Sequence, residues 1–205
     1  MKILAVSDTV VEFIYNPKIR QIFPDIDLVI GCGDLPEYYL EFLVSALDIP
    51  LFYVHGNHSP AEIMENSKAK NFQGSIDLHC KVKWIKGYSF AGVEGCIRYK
   101  DGKFQYSQFD MWLNVFRLVP SLYKNRITSG RYLNVFLSHA SPWGIHDQPD
   151  YAHQGVKAFR WLLDRFQPDY HLHGHIHIYR PDMLIETQYG RTKVVNAYGY
   201  RKIEL

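Results

Sequence analysis

Cysteine is scarce in this sequence of 205 residues. Cys32, Cys80 and Cys96 are odd in number and show none of the spacings typical of zinc ligands. We therefore expect reduced thiols, and neither a disulfide framework nor a structural zinc bound by thiolates. Stability must then come from an apolar core. A hydrophobic content of 47% over this length predicts a single domain across residues 1–205.

Long apolar runs and runs of like charge are also missing. No stretch approaches the roughly 18 apolar residues of a membrane span, and the apolar segment after Met1 and Lys2 is too short for a signal peptide. The 23 Lys and Arg residues nearly balance the 21 Asp and Glu residues, and they form no basic stripe that would bind a nucleic-acid backbone. We therefore expect a cytoplasmic protein that contacts no membrane and forms no stable nucleic-acid complex.

Five short apolar segments end abruptly in polar or glycine-containing turns. They are KILAVSD (2–8), DIDLVIGCGD (25–34), IPLFYVHGNH (49–58), YLNVFLSHA (132–140) and DYHLHGH (169–175). Segments of this length without polar alternation are typical of strands that are covered on both faces. Residues 36–47 and 155–166 have apolar positions at helical spacing, so strands and helices alternate. The pattern predicts a largely parallel sheet covered by helices.

The middle and the end of the chain depart from this alternation. Residues 81–95 and 183–198 read as hairpins that feed a second sheet, the latter with a turn at Tyr189-Gly190. Residues 106–124 carry an aromatic stripe at helical spacing, which favours a face packed on the core over a lid above a ligand. Its members are Phe109, Trp112, Leu113, Phe116 and Val119.

Each of the five apolar segments finishes with a possible metal ligand. In order these are Asp8, Asp34, Asn57 followed by His58, His139, and His175 followed by His177. Any one of them reads equally well as a turn or cap residue. Ligand crevices of α/β sheets lie outside the carboxyl ends of the strands, however, so all five can converge there. Carboxylates, an amide oxygen and imidazoles suit Mn, Fe, Zn or Co better than Ca or Mg.

This donor set points to phosphoryl chemistry, because one aspartate can bridge two ions about 4 Å apart, the spacing used by two-metal phosphatases. The motifs SDTV, GCGDL, GNHS, SHASP and HGHIH follow in the order seen in one superfamily, and the sequence resembles the calcineurin-like metallophosphoesterases. The resemblance implies an α/β fold, a four-layer α/β/β/α sandwich of two mixed sheets flanked by helices. It also implies hydrolysis of a small phosphomonoester or phosphodiester, a nucleotide included, by a metal-bound hydroxide.

The resemblance assigns roles by position. Asp8, Asp34 and His177 would hold one divalent ion, and Asp34, Asn57, His139 and His175 a second. Asp34 would thus bridge the metals, and His58 would protonate the leaving oxygen or steady the phosphate. His171 and His173 would remain strand or supporting residues. Asn57 and His58, together with Arg98 and His153, are the predicted substrate contacts.

Arg98 suits a bidentate phosphate clamp, although a surface ion pair is an equally good interpretation. His153 and His146 lie in the loop after His139, where each reads as a phosphate contact or as an ordinary loop histidine. Trp143 and Tyr198 are candidates for stacking on a base, although single aromatic residues mostly pack in the core.

Two positions depart from the family pattern. Val10 stands where the first motif, Asp-x-His, normally has a histidine, and Ser59 stands where an acidic residue commonly follows the histidine of the third motif. Valine has no lone pair, so the first ion keeps three protein ligands, a number that catalytic zinc sites use. We therefore expect one or two ions per chain and reduced activity. The alternative is a catalytically impaired member that acts as an interaction scaffold or a nucleotide-binding protein.

Overall fold

The computed structural model describes residues 1–58, 74–180 and 182–205. Its helices are α1 (Ile19–Ile22), α2 (Glu37–Leu47), α3 (Gln108–Ser129) and α4 (Lys157–Phe166). Its strands are β1 (Lys2–Ser7), β2 (Leu28–Gly31), β3 (Leu51–Tyr53), β4 (Ser75–Asp77), β5 (Val82–Ile85), β6 (Tyr88–Val93), β7 (Cys96–Ile97), β8 (Gln105–Tyr106), β9 (Val135–Ser138), β10 (Tyr170–His173), β11 (Glu186–Tyr189), β12 (Thr192–Asn196) and β13 (Gly199–Glu204).

The strands form two large mixed sheets. The first has the order β13-β1-β2-β3-β4, in which the β1–β13 pair is antiparallel and the other three described pairs are parallel. The second has the order β11-β12-β10-β9-β6-β5, with a parallel centre and an antiparallel hairpin at each edge. Strands β7 and β8 form a separate parallel pair. The mixed sheets confirm the predicted fold class.

The apolar residues pack in three clusters that separate four layers. Ile3 and Ala5 of β1 face Val135 and Leu137 of β9 between the two sheets. The alternate residues of β1 and β2 pack against α1 and α2, and the outer face of the second sheet packs against α3 and α4. Both faces of each central strand are therefore buried, which explains why the strand sequences are continuously apolar.

The two hairpins are present as predicted. Val82–Ile85 pairs antiparallel with Tyr88–Val93, and Glu186–Tyr189 pairs with Thr192–Asn196 around Gly190. The three predicted helices also form, with shifted ends. A capping box between Ser107 and Asp110 starts α3, and Gly130 ends it in a left-handed conformation, so this helix runs past the predicted boundary at 124.

The predicted core face of α3 is wrong for three of its five residues. Phe109, Leu113 and Phe116 are 69%, 43% and 49% exposed, while Trp112 and Val119 are half-buried at the margin. The residues that face the second sheet are instead Met111, Val115, Leu118 and Leu122. Both sets have helical spacing, so the helix has two apolar faces, and only one of them is covered by the described residues.

Within the described part of the chain, none of the helices combines the length and the hydropathy that crossing a bilayer requires. The three cysteines are free thiols, as expected, and Cys32 and Cys96 are buried.

A buried histidine makes the fold sensitive to acid. The ring of His171 is fully buried in β10, its Nε2–H donates to Ser138 Oγ (2.7 Å), and among the described residues Nδ1 has no partner. Burial lowers the pKa of His171 from its ordinary value of 6.5 to about 3. The unfolded chain therefore binds a proton that the folded chain excludes, and stability present above pH 6.5 is lost as the pH falls toward 3.

When the pH falls from 7 to 5, we expect the titration of His171 to lower the free energy of unfolding by about 2 kcal/mol, since one pKa unit corresponds to about 1.4 kcal/mol. The variant His171→Leu removes the titrating group and should lose correspondingly less stability over the same range. Urea denaturation of both proteins at pH 7 and pH 5 measures this difference. Parallel losses in the two proteins would show that His171 does not carry the effect.

Candidate metal centre

Three predicted ligands from different strands meet at one point. Asp8 follows β1, Asp34 follows β2 by three residues, and His139 follows β9 of the other sheet. One ligand atom of each lies within 4.8 Å of the other two. Parallel strands of both sheets end at the same edge of the sandwich, and this arrangement brings the residues together across long stretches of sequence.

The backbone at these positions is unusual. Asp8, Asp34 and His175 have φ angles of 66°, 53° and 67°, in the left-handed region that residues other than glycine seldom occupy. The Asp8 amide donates to the Gly33 carbonyl (3.1 Å), and the His175 amide donates to the Asp8 carboxylate (3.0 Å). These bonds hold the strained turns, and such strain is concentrated at functional sites.

Glycines make room for the ligand side chains. A Cβ added at Gly56 would lie 2.0 Å from Asp34 Oδ1, and one added at Gly174 would lie 2.5 Å from Asp8 Oδ2. A Cβ at Gly33 would lie 2.5 Å from His139 Nδ1. Side chains therefore do not fit at these three positions without displacing a predicted ligand.

Hydrogen bonds orient the imidazole of His139. Its Nδ1–H donates to the Cys32 carbonyl (2.8 Å), which leaves Nε2 directed at Asn57 Oδ1 (3.0 Å) and Asp34 Oδ2 (3.3 Å). Metal-binding histidines usually donate the ring nitrogen that does not bind the metal to a backbone carbonyl or a carboxylate, as Nδ1 of His139 does here.

The pKa values of Asp34 and His139 are coupled. Burial opposes the charge on both, but their mutual attraction and hydrogen bond prevail, so the pKa of Asp34 is lowered and that of His139 is raised. The backbone N–H of His58 also donates to Asp34 Oδ1 (2.7 Å) and lowers the pKa of Asp34 further. Asp34 is thus an ionised carboxylate, the form in which a carboxylate can bind a cation.

The two late histidines lie beside Asp8. His175 Nε2–H donates to the Ala152 carbonyl (2.8 Å), which leaves Nδ1 as a lone-pair donor. Burial and the nearby His139 lower the pKa of His175 to about 4, so this ring is neutral near pH 7. His177 Nε2 is 3.7 Å from Asp8 Oδ1, and its Nδ1 is 2.6 Å from the Tyr179 hydroxyl.

A tyrosine that the sequence did not single out joins this cluster. Asn57 Nδ2 donates to the hydroxyl of Tyr99 (3.2 Å), and the same hydroxyl is 3.3 Å from His58 Nε2. The His58 side chain is itself exposed. Tyr99 follows Arg98 in the loop after β7. Its position next to Arg98 is the one feature of the sequence that points to it.

The remaining candidates have other partners. Arg98 donates from Nε and Nη2 to the Gln105 carbonyl (3.3 and 3.2 Å). His153 bonds to Asp150 through Nδ1 (2.9 Å), while its ring centroid is 5.1 Å from that of His175. His146 uses both ring nitrogens on His173 and Thr187 (2.8 Å each), so neither is directed at a phosphate.

The rest of the predicted set divides between the core and the surface. His171 and His173 are buried in β10. The ring of Trp143 lies under Lys157 Nζ, at 4.7 Å, and the ring of Tyr198 is 4.9 Å from that of His177. Val10 is half-buried against the apolar cluster formed with α1 and α2. Ser59 lies outside the described residues.

The donor set fits divalent transition metals. Carboxylates, an amide oxygen and imidazoles held by backbone acceptors suit Mn, Fe, Zn or Co, and no thiolate is among them. Asp8, Asp34, His139 and His175 come from both sheets, so the folded sandwich is needed to assemble the centre.

Comparisons with known proteins agree with this fold. A family model described as calcineurin-like phosphoesterase matches residues 1–179. The chain is similar to TT1561 of Thermus thermophilus, with 19% identity, a TM-score of 0.64, and 97% of this chain and 89% of that chain covered. It is also similar to a hypothetical protein of the same organism, with 16% identity, a TM-score of 0.50, and 96% of this chain and 75% of that chain covered. Among curated proteins none matches.

The likeness to these two structures shows the fold alone. The family match covers most of the chain and includes all five motifs, from Asp8 to His177. The chain therefore belongs to the calcineurin-like phosphoesterase family.

Proposed function

We propose that this metallophosphoesterase hydrolyses a small phosphomonoester or phosphodiester at the centre around Asp34. The observation that supports the proposal most directly is the convergence of Asp8, Asp34 and His139 within 4.8 Å. Asn57 and His58 border the same point, so the residues that would bind a cation and those that would contact a phosphate lie side by side.

The ligands would divide between two positions. Asp8, Asp34 and His177 would hold one divalent ion, and Asp34, Asn57, His139 and His175 the other. Such ions neutralise charge on the phosphoryl oxygens and make water a better nucleophile. The carbonyl oxygens of Cys32 and Ala152 fix the rings of His139 and His175, so little reorganisation is needed when a cation binds.

His58 would deliver the proton to the leaving oxygen. Its backbone is fixed by the bond to Asp34, while its exposed ring contacts the Tyr99 hydroxyl. Tyr99 accepts a hydrogen bond from Asn57, so its own hydroxyl proton can be donated to His58 Nε2. We infer that this chain of bonds positions the imidazole.

A shallow cavity of about 490 Å³ beside His177 offers space for the group that the phosphate carries. It is lined by Gln148, His153, His177, Tyr179, Arg180 and Met183. The guanidinium of Arg180 suits a second anionic group of the substrate, and Tyr179 and Met183 suit an apolar part. His153 and Arg98 would contribute further contacts to the substrate.

The direct test is hydrolysis of bis(p-nitrophenyl) phosphate and p-nitrophenyl phosphate by purified protein with Mn²⁺. We expect release of p-nitrophenol from at least one ester, its loss on treatment with EDTA, and its return when Mn²⁺ is restored. A protein that contains Mn²⁺ but cleaves neither ester would contradict the proposal.

Restoring the missing imidazole should strengthen metal binding. In Val10→His the added imidazole would stand two residues after Asp8. We expect the affinity for the ion held by Asp8, Asp34 and His177 to rise by at least about tenfold. Ions counted per chain after equilibration with limiting Mn²⁺ measure the change. Val11→His is the matched control, because it adds the same ring one position along. Equal metal content in all three proteins would show that Val10 does not limit occupancy.

A further inference from the structure

Helix α3 carries a second apolar face that the described residues leave exposed. We define the outer stripe by its six members, Phe109, Leu113, Phe116, Pro120, Tyr123 and Ile127, which follow one another at alternating intervals of four and three residues. This spacing keeps them along one line of the helix, opposite Met111, Val115, Leu118 and Leu122. The stripe extends over most of a helix about 33 Å long.

The exposure of the stripe is high for side chains of this type. Ile127 and Phe109 are 85% and 69% exposed, and Phe116 is 49% exposed. Trp112 of α3 and Trp161 of α4 border the stripe. The ring centroid of each lies 5.5 Å from that of Phe116. Single exposed apolar residues are common, but a contiguous stripe with aromatic borders marks a surface that binds something.

Helices α3 and α4 carry a strongly positive net charge. Helices α3 and α4 together carry six cations and the two anions Asp110 and Asp164, a net charge of +4, whereas the whole chain has +2. The cations are Arg117, Lys124, Arg126, Lys157, Arg160 and Arg165. Arg165 donates to the hydroxyl of Tyr123 (2.6 Å), so positive charge directly adjoins the stripe.

We propose that the outer stripe docks the protein on a membrane surface rich in anionic phospholipid. The axis of α3 would lie in the plane of the interface, with Phe109, Phe116 and Ile127 inserted between the lipids and the flanking cations on their headgroups. Aromatic and aliphatic residues beside Lys and Arg are the composition of helices that lie in this region. Each basic residue near an anionic leaflet adds to the attraction.

The same charges disfavour a second copy of the chain as the occupant. Two copies joined along the stripe would bring Arg117, Lys124 and Arg126 of one chain close to the same cations of the other, which repel. Docking on a surface also needs no membrane-spanning helix. The sequence-based expectation that the protein contacts no membrane was based on the missing span, and it does not apply to a helix lying on the surface.

Flotation with lipid vesicles tests the proposal on the full chain. One set of vesicles contains about a third phosphatidylglycerol in phosphatidylcholine, and the other is pure phosphatidylcholine. We expect binding to the first set only, and a drop of more than about tenfold in bound protein between about 0.1 and 0.5 M NaCl, because salt screens the attraction. Tryptophan fluorescence should shift to shorter wavelength on binding, since Trp112 and Trp161 border the stripe.

Surface variants locate the contact. The doubles Phe116→Ser/Ile127→Ser and Arg117→Glu/Lys124→Glu should each reduce vesicle binding by more than about tenfold. The matched controls Tyr38→Ser and Lys18→Glu/Arg20→Glu change exposed residues on the opposite helical layer and should bind as the unaltered protein does. Circular dichroism and hydrolysis of the chromogenic ester confirm that each variant is folded.

Three outcomes would overturn the proposal: no binding to either kind of vesicle, equal binding to both, or full binding by both double variants. Sedimentation velocity without lipid gives a fourth. A stable dimer that Phe116→Ser/Ile127→Ser dissociates would assign the stripe to a second copy of the chain instead.

Discussion

Asp34→Asn is expected to reduce hydrolysis of the chromogenic ester by at least about a thousandfold. Asparagine keeps the shape of the side chain but removes the negative charge that pairs with His139 and that two cations would share. Asp34 Oδ1 accepts the His58 amide at 2.7 Å, and Asp34 Oδ2 lies 3.3 Å from His139 Nε2, so one substitution affects both contacts. Steady-state release of p-nitrophenol in saturating Mn²⁺ measures the loss.

The matched control is Asp101→Asn, an exposed aspartate in the loop between β7 and β8. It removes one negative charge without touching the centre, and its rate should equal that of the unaltered chain. Metal content and circular dichroism of Asp34→Asn separate loss of chemistry from loss of folding. Full activity in a folded Asp34→Asn protein would exclude the proposed centre.

His58→Asn is expected to lower the rate by about two to four orders of magnitude, the usual contribution of a positioned proton donor. The size of the loss should depend on the leaving group. A p-nitrophenolate departs without a proton, whereas the alkoxide of an alkyl ester needs one, so the alkyl ester should suffer the larger loss. Rates for the two ester types with each protein measure this difference.

Two further variants define the role of the imidazole. Tyr99→Phe keeps His58 but removes the hydroxyl that contacts it. We expect the rate with the alkyl ester to fall by about tenfold, which is a smaller loss than in His58→Asn and is again larger than the loss with the p-nitrophenyl ester. His79→Asn changes a histidine bonded to the Glu94 amide, outside the centre, and should leave both rates unchanged. If His58→Asn slowed both esters equally, His58 would bind phosphate without transferring a proton.

The sequence predicted the central strands well because their signal is local. A continuously apolar strand followed by Asp, Asn or His is readable over about ten residues, and the hairpin around Gly190 needs only its own turn residues. The donors Asp8, Asp34 and His139 were identifiable for the same reason. Each stands where a buried strand must leave the sheet, and there its side chain faces the crevice.

For helix α3 the local sequence pattern does not predict which face is buried. Phe109, Leu113 and Phe116 have the same helical period as Met111, Val115 and Leu118, so periodicity establishes the helix but cannot tell which face packs on the sheet. In the structure the second sheet packs against the smaller aliphatic face, and the aromatic face is exposed among the described residues. The same limit applies to Tyr99, because it contacts residues more than 40 positions away.

The amino-acid sequence alone predicted which residues follow the central strands, which donor atoms they carry, and the valine at position 10 where the family pattern has a histidine, since these depend on residue type and local pattern. Tertiary structure decided the distances: that His139 of one sheet reaches Asp34 of the other, that Tyr99 contacts His58, and that one face of α3 is left uncovered by the described residues. Contacts between segments far apart in the chain depend on how whole layers pack. No local pattern contains that information.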